Sequence, residues 1–219
     1  MEDQFPVTIT TAFGDVTVPK RSQRIVALGW SDADTALALR VQPVGAADWP
    51  AVGGNGLSPW VTEMYSTAPR MLGTQEVDLE ALAGLSPGLI LDTKSGGKKE
   101  RYDQLAAPGV PVVGMPQGAR AHLTSWRDQL DFIGHAVGRA DRAKQLRGEI
   151  EAKFEKTSGA HPAFQGAKVV VGVRNADSYA AYVTRAGRVG FMCELSFTNS
   201  PAIEALKVPV SPRRCRPSS

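Results

Sequence analysis

"RIVALGWSDADTALALRVQPVGA", residues 24–46, decides the fold. Its first part, Arg24-Ile25-Val26-Ala27-Leu28, is a continuous apolar run, the pattern of a strand covered on both faces. Ser31-Asp32-Ala33-Asp34 then opens a helix, with Ser31 placed as N-cap and an acidic residue three positions on. Ala33, Ala36, Leu37 and Leu39 line its apolar side. Pro43-Val44-Gly45-Ala46 returns as a second strand. Strand, helix and strand in this order make a βαβ unit, and βαβ units build parallel sheets.

The rhythm repeats downstream. Gly88-Leu89-Ile90-Leu91 and Pro111-Val112-Val113-Gly114 read as further strands, with helical segments near 58–65, 78–84 and 98–107 between them. Upstream, Val7–Thr11 and Val16–Val18 alternate around Phe13-Gly14-Asp15 and predict a hairpin. Beyond 120 the pattern turns helical. Leu123, Trp126, Leu130, Ile133 and Val137 recur at three and four residues, and Gly138 can end that helix. Asp141 caps a second helix, Arg142 to about Lys156, with the seam Leu146, Ile150 and Phe154. Lys168–Val173 then predicts a buried strand that starts a second α/β unit. A Tyr-rich turn, a short helix near 189–195 and the aperiodic VPVSPRRCRPSS follow.

Composition narrows the function. The chain has 219 residues, 42% apolar and 21% charged, the proportions of an ordinary globule. A net charge of +3, with no Lys/Arg run longer than two, argues against nucleic acid as a partner. No stretch approaches the roughly 18 apolar residues of a membrane span. Met-Glu-Asp-Gln carries neither the basic nor the apolar region of an export signal, so the reading is a cytosolic protein or a chain that begins after a removed signal. Cys193 and Cys215 lack the spacing of a zinc site or a disulfide framework.

Several chemistries can be weighed directly. Leu28-Gly29-Trp30-Ser31 puts a bulky indole where a phosphate-binding turn needs glycines, and Gly53-Gly54-Asn55-Gly56 lacks the Lys-Ser/Thr of a P-loop. Ser95-Gly-Gly-Lys98 fits S-x-x-K and Lys156-Thr-Ser-Gly159 resembles K-T-G, which keeps a serine acyl-transferase using Ser95 and Lys98 as a rival. Two glycines between Ser95 and Lys98, and the absence of S-D-N, count against it. His122, His135 and His161 read as surface or capping residues, so no metal site is expected. The tryptophans say more. Trp30, Trp49 and Trp60 fall on loops after strands, whereas Trp126 belongs to a helix seam. Three loop tryptophans at one sheet edge suggest an aromatic-lined cleft, with Lys94, Lys98 and Lys99 adding positive charge.

Four stretches together resemble the ferric-siderophore-binding proteins of ABC iron importers. They are VTVPKRSQRIVALGWSDADTALALRVQPVGA (16–46), EVDLEALAGLSPGLILDTKSG (76–96), YDQLAAPGVPVVGMP (102–116) and IGHAVGRADRAKQLRGEIEAKF (133–154). Arg40 and Gly88 depart from a common glycine and aspartate, and in MCELSF Ser196 stands where glycine is usual. The resemblance implies an α/β fold: a parallel-sheet, Rossmann-like N-lobe over 1–120, joined by one long helix to an incomplete α/β C-lobe. That helix, about 139–158, lies in a helical region 121–163. The partial C-lobe covers 164–206, and an irregular tail, 207–219, looks like a truncation or a shifted reading frame.

The resemblance also implies function: a substrate-binding component that captures a ferric siderophore in an inter-lobe cleft and delivers it to a membrane permease, without catalysis or cofactor. Haem and corrinoids are alternative ligands of the same architecture. Trp30, Trp49, Trp60 and Lys94 would contact ligand from the N-lobe, and Arg174 and Tyr179 from the C-lobe. Glu80 would meet the permease. The iron would be held by the siderophore. The protein would be exported, in the periplasm or as a lipoprotein whose signal and lipid anchor are not in this sequence. A monomer is expected, with the thinly covered C-lobe face (Val169, Val171, Phe191, Phe197) open to dimerisation.

Overall fold

Alternation in the first segment produces the hairpin it predicts. β1 (Val7–Thr11) and β2 (Gly14–Val18) pair antiparallel around Gly14, whose φ of 106° suits a residue without a Cβ. Ile9, Thr11, Val16 and Val18 face inward. This computed structural model describes residues 5–49, 54–61, 64–175, 178–184 and 186–206. It divides into two units, 1–147 and 148–219.

In the first unit a five-stranded sheet forms from β3 (Ile25–Ala27), β4 (Gly45–Ala46), β5 (Arg70–Met71), β6 (Leu89–Leu91) and β7 (Val112–Val113). Every pairing in it is parallel, in the order β5-β4-β3-β6-β7. β3 and β6 are buried along their whole length, as continuous apolar runs require. Leu89 and Leu91 join one core cluster with β1, β2 and residues 130–143, while Ile90 joins another with Leu82, Leu105 and Val112. The sheet is therefore covered on both faces.

α1 (Asp32–Ala38), α2 (Leu79–Gly84) and α3 (Lys99–Ala106) follow β3, β5 and β6. Next come α4 (Trp126–Ala136) and α5 (Ala140–Ala160), of which Ala140–Arg147 counts with the first unit and the rest with the second. Asp141, expected as the cap of a helix from Arg142 to about Lys156, lies inside the first turn of α5, which runs on to Ala160. Three further local expectations need correction. Ser31 occupies the N-cap of α1 but has φ 64° and makes no side-chain cap bond, because Asp32 and not the serine is drawn into the turn's hydrogen bonds. No helix forms among the described residues of 58–65; Ser58 instead bonds Asp34, and Val61 closes a single turn onto it. Residue 59 is a proline, and Trp60, 75% exposed, stands outside the core that Leu57, Val61 and Tyr65 join. α4 starts at Trp126 and leaves Leu123 outside, since Ser125 caps it by accepting from Asp128 N–H.

The second unit holds two small sheets. β8 (Lys168–Val169) and β11 (Thr198–Asn199) are parallel; β9 (Gly172–Asn175) and β10 (Ser178–Ala181) are antiparallel. The single buried strand expected over 168–173 is thus two short strands in different sheets. Lys168, Val170 and Gly172 are exposed, because neighbours cover only one side of that run. α6 (Gly187–Glu194) buries Val189, and α7 (Pro201–Glu204) follows β11. Phe191, 55% exposed, meets Phe154, and Phe197 packs on Phe164.

Two departures from the family pattern carry a structural signature. Arg40 has φ 61° and Ser196 has φ 72°, the left-handed backbone that glycine adopts freely. Arg40 is exposed after α1. Arg40→Gly is expected to stabilise the protein by about 0.5–1 kcal/mol, whereas Arg40→Ala, which keeps the strain, gives no gain. Urea unfolding of the three proteins checks this, and a loss with glycine contradicts it.

Candidate functional site

The strand order places a crevice. After β3 the chain moves to β4 on one side, and after β6 it moves to β7 on the other, so the loops leaving β3 and β6 diverge at a topological switch point. In open parallel sheets, ligands bind at that point, beyond the carboxyl ends of the strands.

A buried carboxylate ties those loops together. Asp32, fully buried, accepts from Gly29 N–H at 3.0 Å, Thr93 N–H at 3.0 Å, the Thr93 hydroxyl, and Gln129 Nε2 at 2.7 Å. Gln129 reaches over from α4 and also donates to the Trp30 carbonyl at 2.8 Å. The Thr124 hydroxyl closes the group on the Thr93 carbonyl at 2.6 Å. Gly29 is dictated by this packing: a Cβ there would sit 2.4 Å from Asp32 Oδ2 and 2.8 Å from Lys94 N. Burial pushes the Asp32 carboxyl up to about 6, against the pull of the Thr93 and Gln129 donors.

On this base stands an aromatic surface. Trp30, 36% exposed, donates its N–H to the Lys94 carbonyl at 3.0 Å. Its ring stacks on His122, with centroids 4.2 Å apart and planes at 28°, and meets Trp49 edge-on at 5.5 Å. Trp49 is held by its N–H to Thr74 Oγ1, which in turn donates to Asp48. His122 is pinned by its N–H to the Ser95 carbonyl at 2.8 Å. Ser31, Trp49 and His122, at φ 64°, 44° and 58°, adopt left-handed backbone around the crevice.

The loop "DTKSGG", 92–97, divides its labour. Asp92 faces inward to Arg101 at 3.0 Å, and Thr93 faces Asp32. Lys94 is half-buried beside Trp30. Ser95 is buried, Lys98 is exposed ahead of α3, and no hydrogen bond joins them, so the acyl-transfer pair is not assembled. Lys99 pairs with Asp103. Trp60 makes no ring contact with a described residue and does not join Trp30 and Trp49. Glu80 is exposed on α2, next to the Asp78 that caps that helix. In the second unit, Arg174 and Tyr179 are directly opposed on β9 and β10, with the guanidinium 5.9 Å from the ring. Among the described residues no group of three His, Cys, Asp or Glu could hold a metal ion, and no helix is long and apolar enough to cross a membrane.

Sequence reasoning missed Asp32, Gln129 and His122 as parts of this site. Asp32 read only as a helix opener, and nothing local distinguishes His122 from a surface histidine. Its stack on Trp30 is a tertiary fact.

Comparison with known proteins fits this geometry. The periplasmic binding protein family matches residues 25–207. "Probable siderophore-binding lipoprotein YfiY" of Bacillus subtilis (strain 168) is 32% identical over 146 residues, covering 64% of this chain and 39% of the relative. A periplasmic solute binding protein from Mycobacterium smegmatis superposes with a TM-score of 0.79 at 27% identity, over 95% of this chain and 71% of that one. Streptococcus pneumoniae PiaA in complex with ferrichrome gives 0.78 at 25%, over 91% and 69%.

The raised Asp32 pKa has a defined consequence for stability. Between the ordinary 3.8 and about 6 the folded chain holds a proton that the unfolded chain has lost. The contribution of Asp32 is therefore greatest in acid and declines as pH rises through that window, by at most about 1.4 kcal/mol per pH unit. Asp32→Asn removes this slope. Urea unfolding of both proteins from pH 4 to 7 is expected to show the difference; parallel curves contradict it.

Proposed function

We propose a function that starts from kinship: the chain belongs to the periplasmic binding protein family, and its Trp30–Trp49–His122 surface with Lys94 receives a ferric siderophore. The observation that carries this reading is the aromatic cluster at the switch point of the parallel sheet. Aromatic faces bind apolar and conjugated ligand surface, and one ammonium adds attraction for anionic oxygens. The relatives support it: one is named a probable siderophore-binding lipoprotein, and another was solved with ferrichrome. The family and these neighbours are binding proteins, not enzymes. In this reading the chelate supplies the iron ligands and the protein supplies shape and charge.

Further parts of the proposal rest on the resemblance. Arg174 and Tyr179 contribute ligand contacts from the second unit, and Trp60 adds a contact from the loop after β4. The protein works outside the cell membrane as a lipoprotein and hands its cargo to an ABC permease, which Glu80 meets.

Titration with iron-loaded hydroxamate, catecholate and carboxylate siderophores, followed by tryptophan fluorescence, tests the reading. Quenching by at least one class is expected, and Trp30→Ala should weaken that ligand by about tenfold or more. Haem or a corrinoid binding in its place, seen by visible absorption, changes the ligand; binding of none removes the proposal.

The permease contact has its own test. Glu80→Arg is expected to lower iron-siderophore uptake in cells carrying the transporter while leaving siderophore affinity unchanged. A loss of affinity would put Glu80 at the ligand instead.

A further inference from the structure

His122 has a ring that the loop itself does not need. Its backbone holds the turn through the N–H to the Ser95 carbonyl, a bond that any residue can make, and φ 58° is as open to asparagine. Nδ1 is buried without a hydrogen-bond partner. What the imidazole adds is the stack on Trp30 at 4.2 Å and an interaction with the Lys94 backbone that favours its charged form. It also places a titratable group within the field of several charges. Asp92 and Lys94 face it from the loop after β6, and Arg101 from α3. Asp32 lies in the same assembly, bonded through Gln129 to the loop that carries Trp30.

We propose that His122 sets the charge preference of the binding surface. Neutral, it extends the aromatic platform of Trp30 and Trp49. Protonated, it acts with Lys94 to draw anionic ferric chelates and to turn away cationic ones. This deepens the reading of function above and rests on it. Burial holds the imidazole below its ordinary range, and Arg101 and Lys94 push the same way against Asp92 and the Lys94 backbone. The ring is therefore held toward its neutral form and takes its proton only at a lower pH than an ordinary imidazole. A proton placed there lies over an indole face, which favours a cation.

Two measurements test it on the full chain. First, tryptophan fluorescence of the ligand-free protein is followed from about pH 7.5 to about pH 5. Acid quenching is expected in the native chain, because an imidazolium quenches a stacked indole, and it should vanish in His122→Asn. Second, calorimetry at both pH values compares iron-loaded desferrioxamine B with its N-acetyl and N-succinyl derivatives. These are one chelate with a positive charge, no added charge and a negative charge. The preference for the succinyl over the parent form is expected to grow by about fivefold or more in acid. His122→Phe, which keeps an aromatic ring and loses the proton, is expected to show no such growth, whatever its affinity at pH 7.5.

If the growth persists in His122→Asn and His122→Phe, Asp32 carries the effect and the inference is wrong. The same follows if the native preference does not change with pH. If no iron chelate binds at either pH, the reading of function falls, and the ligand-free titration separately decides whether His122 changes charge there.

Discussion

A carboxylate taken out of water survives only where donors replace its hydration, and Asp32 has four of them. Those donors come from three places in the chain: the turn after β3, the loop after β6, and α4. Asp32 is thus less a member of α1 than the pin through three elements. Its demands propagate. Gly29 must lack a Cβ, Thr93 must present both its N–H and its hydroxyl, and Gln129 must cross from α4. Trp30 lies between two of these anchors, its N–H on Lys94 and its carbonyl on Gln129, so its backbone has little freedom left.

The sheet was legible because its central strands are buried on both faces, and such strands write continuous apolar runs: Ile25–Ala27 and Leu89–Leu91. β5, Arg70–Met71, was not, since a two-residue edge strand with one charged member leaves no such run. The aromatic residues Trp30 and Trp49 were legible as unusual loop residues, and they do meet. The roles inside "DTKSGG" were not. Of that loop only Lys94 was expected at the ligand; that its aspartate and threonine face inward had no sequence signal. Thr93 finds its partner 61 residues away in sequence, and Gln129 finds Asp32 at a separation of 97. No local pattern encodes a hydrogen bond across such distances.

The second unit shows the limit of composition from the other side. Lys168–Val173 is as rich in valine as any strand in the first unit, but burial comes from neighbours and not from propensity. With β11 beside β8 and only β10 beside β9, alternate residues stay exposed and the run breaks into two strands. Val170 at 56% and Phe191 at 55% exposure are what half-covered strands and helices look like.

Strain and the buried pin belong to one economy of order. Left-handed backbone at non-glycine residues costs of order 1–3 kcal/mol each and persists only where its surroundings over-determine it. Trp49 and His122 are both in that state, and both are tethered: Trp49 through Thr74 to Asp48, His122 through Ser95 to the loop that Asp32 holds. The strain is thus met by folding energy before any ligand arrives. For the binding surface proposed above, rings already fixed would lose little further freedom on association, and that loss is one of the main terms opposing affinity. The rigid pin beneath and the strained loops above are therefore two halves of a preorganised aromatic face.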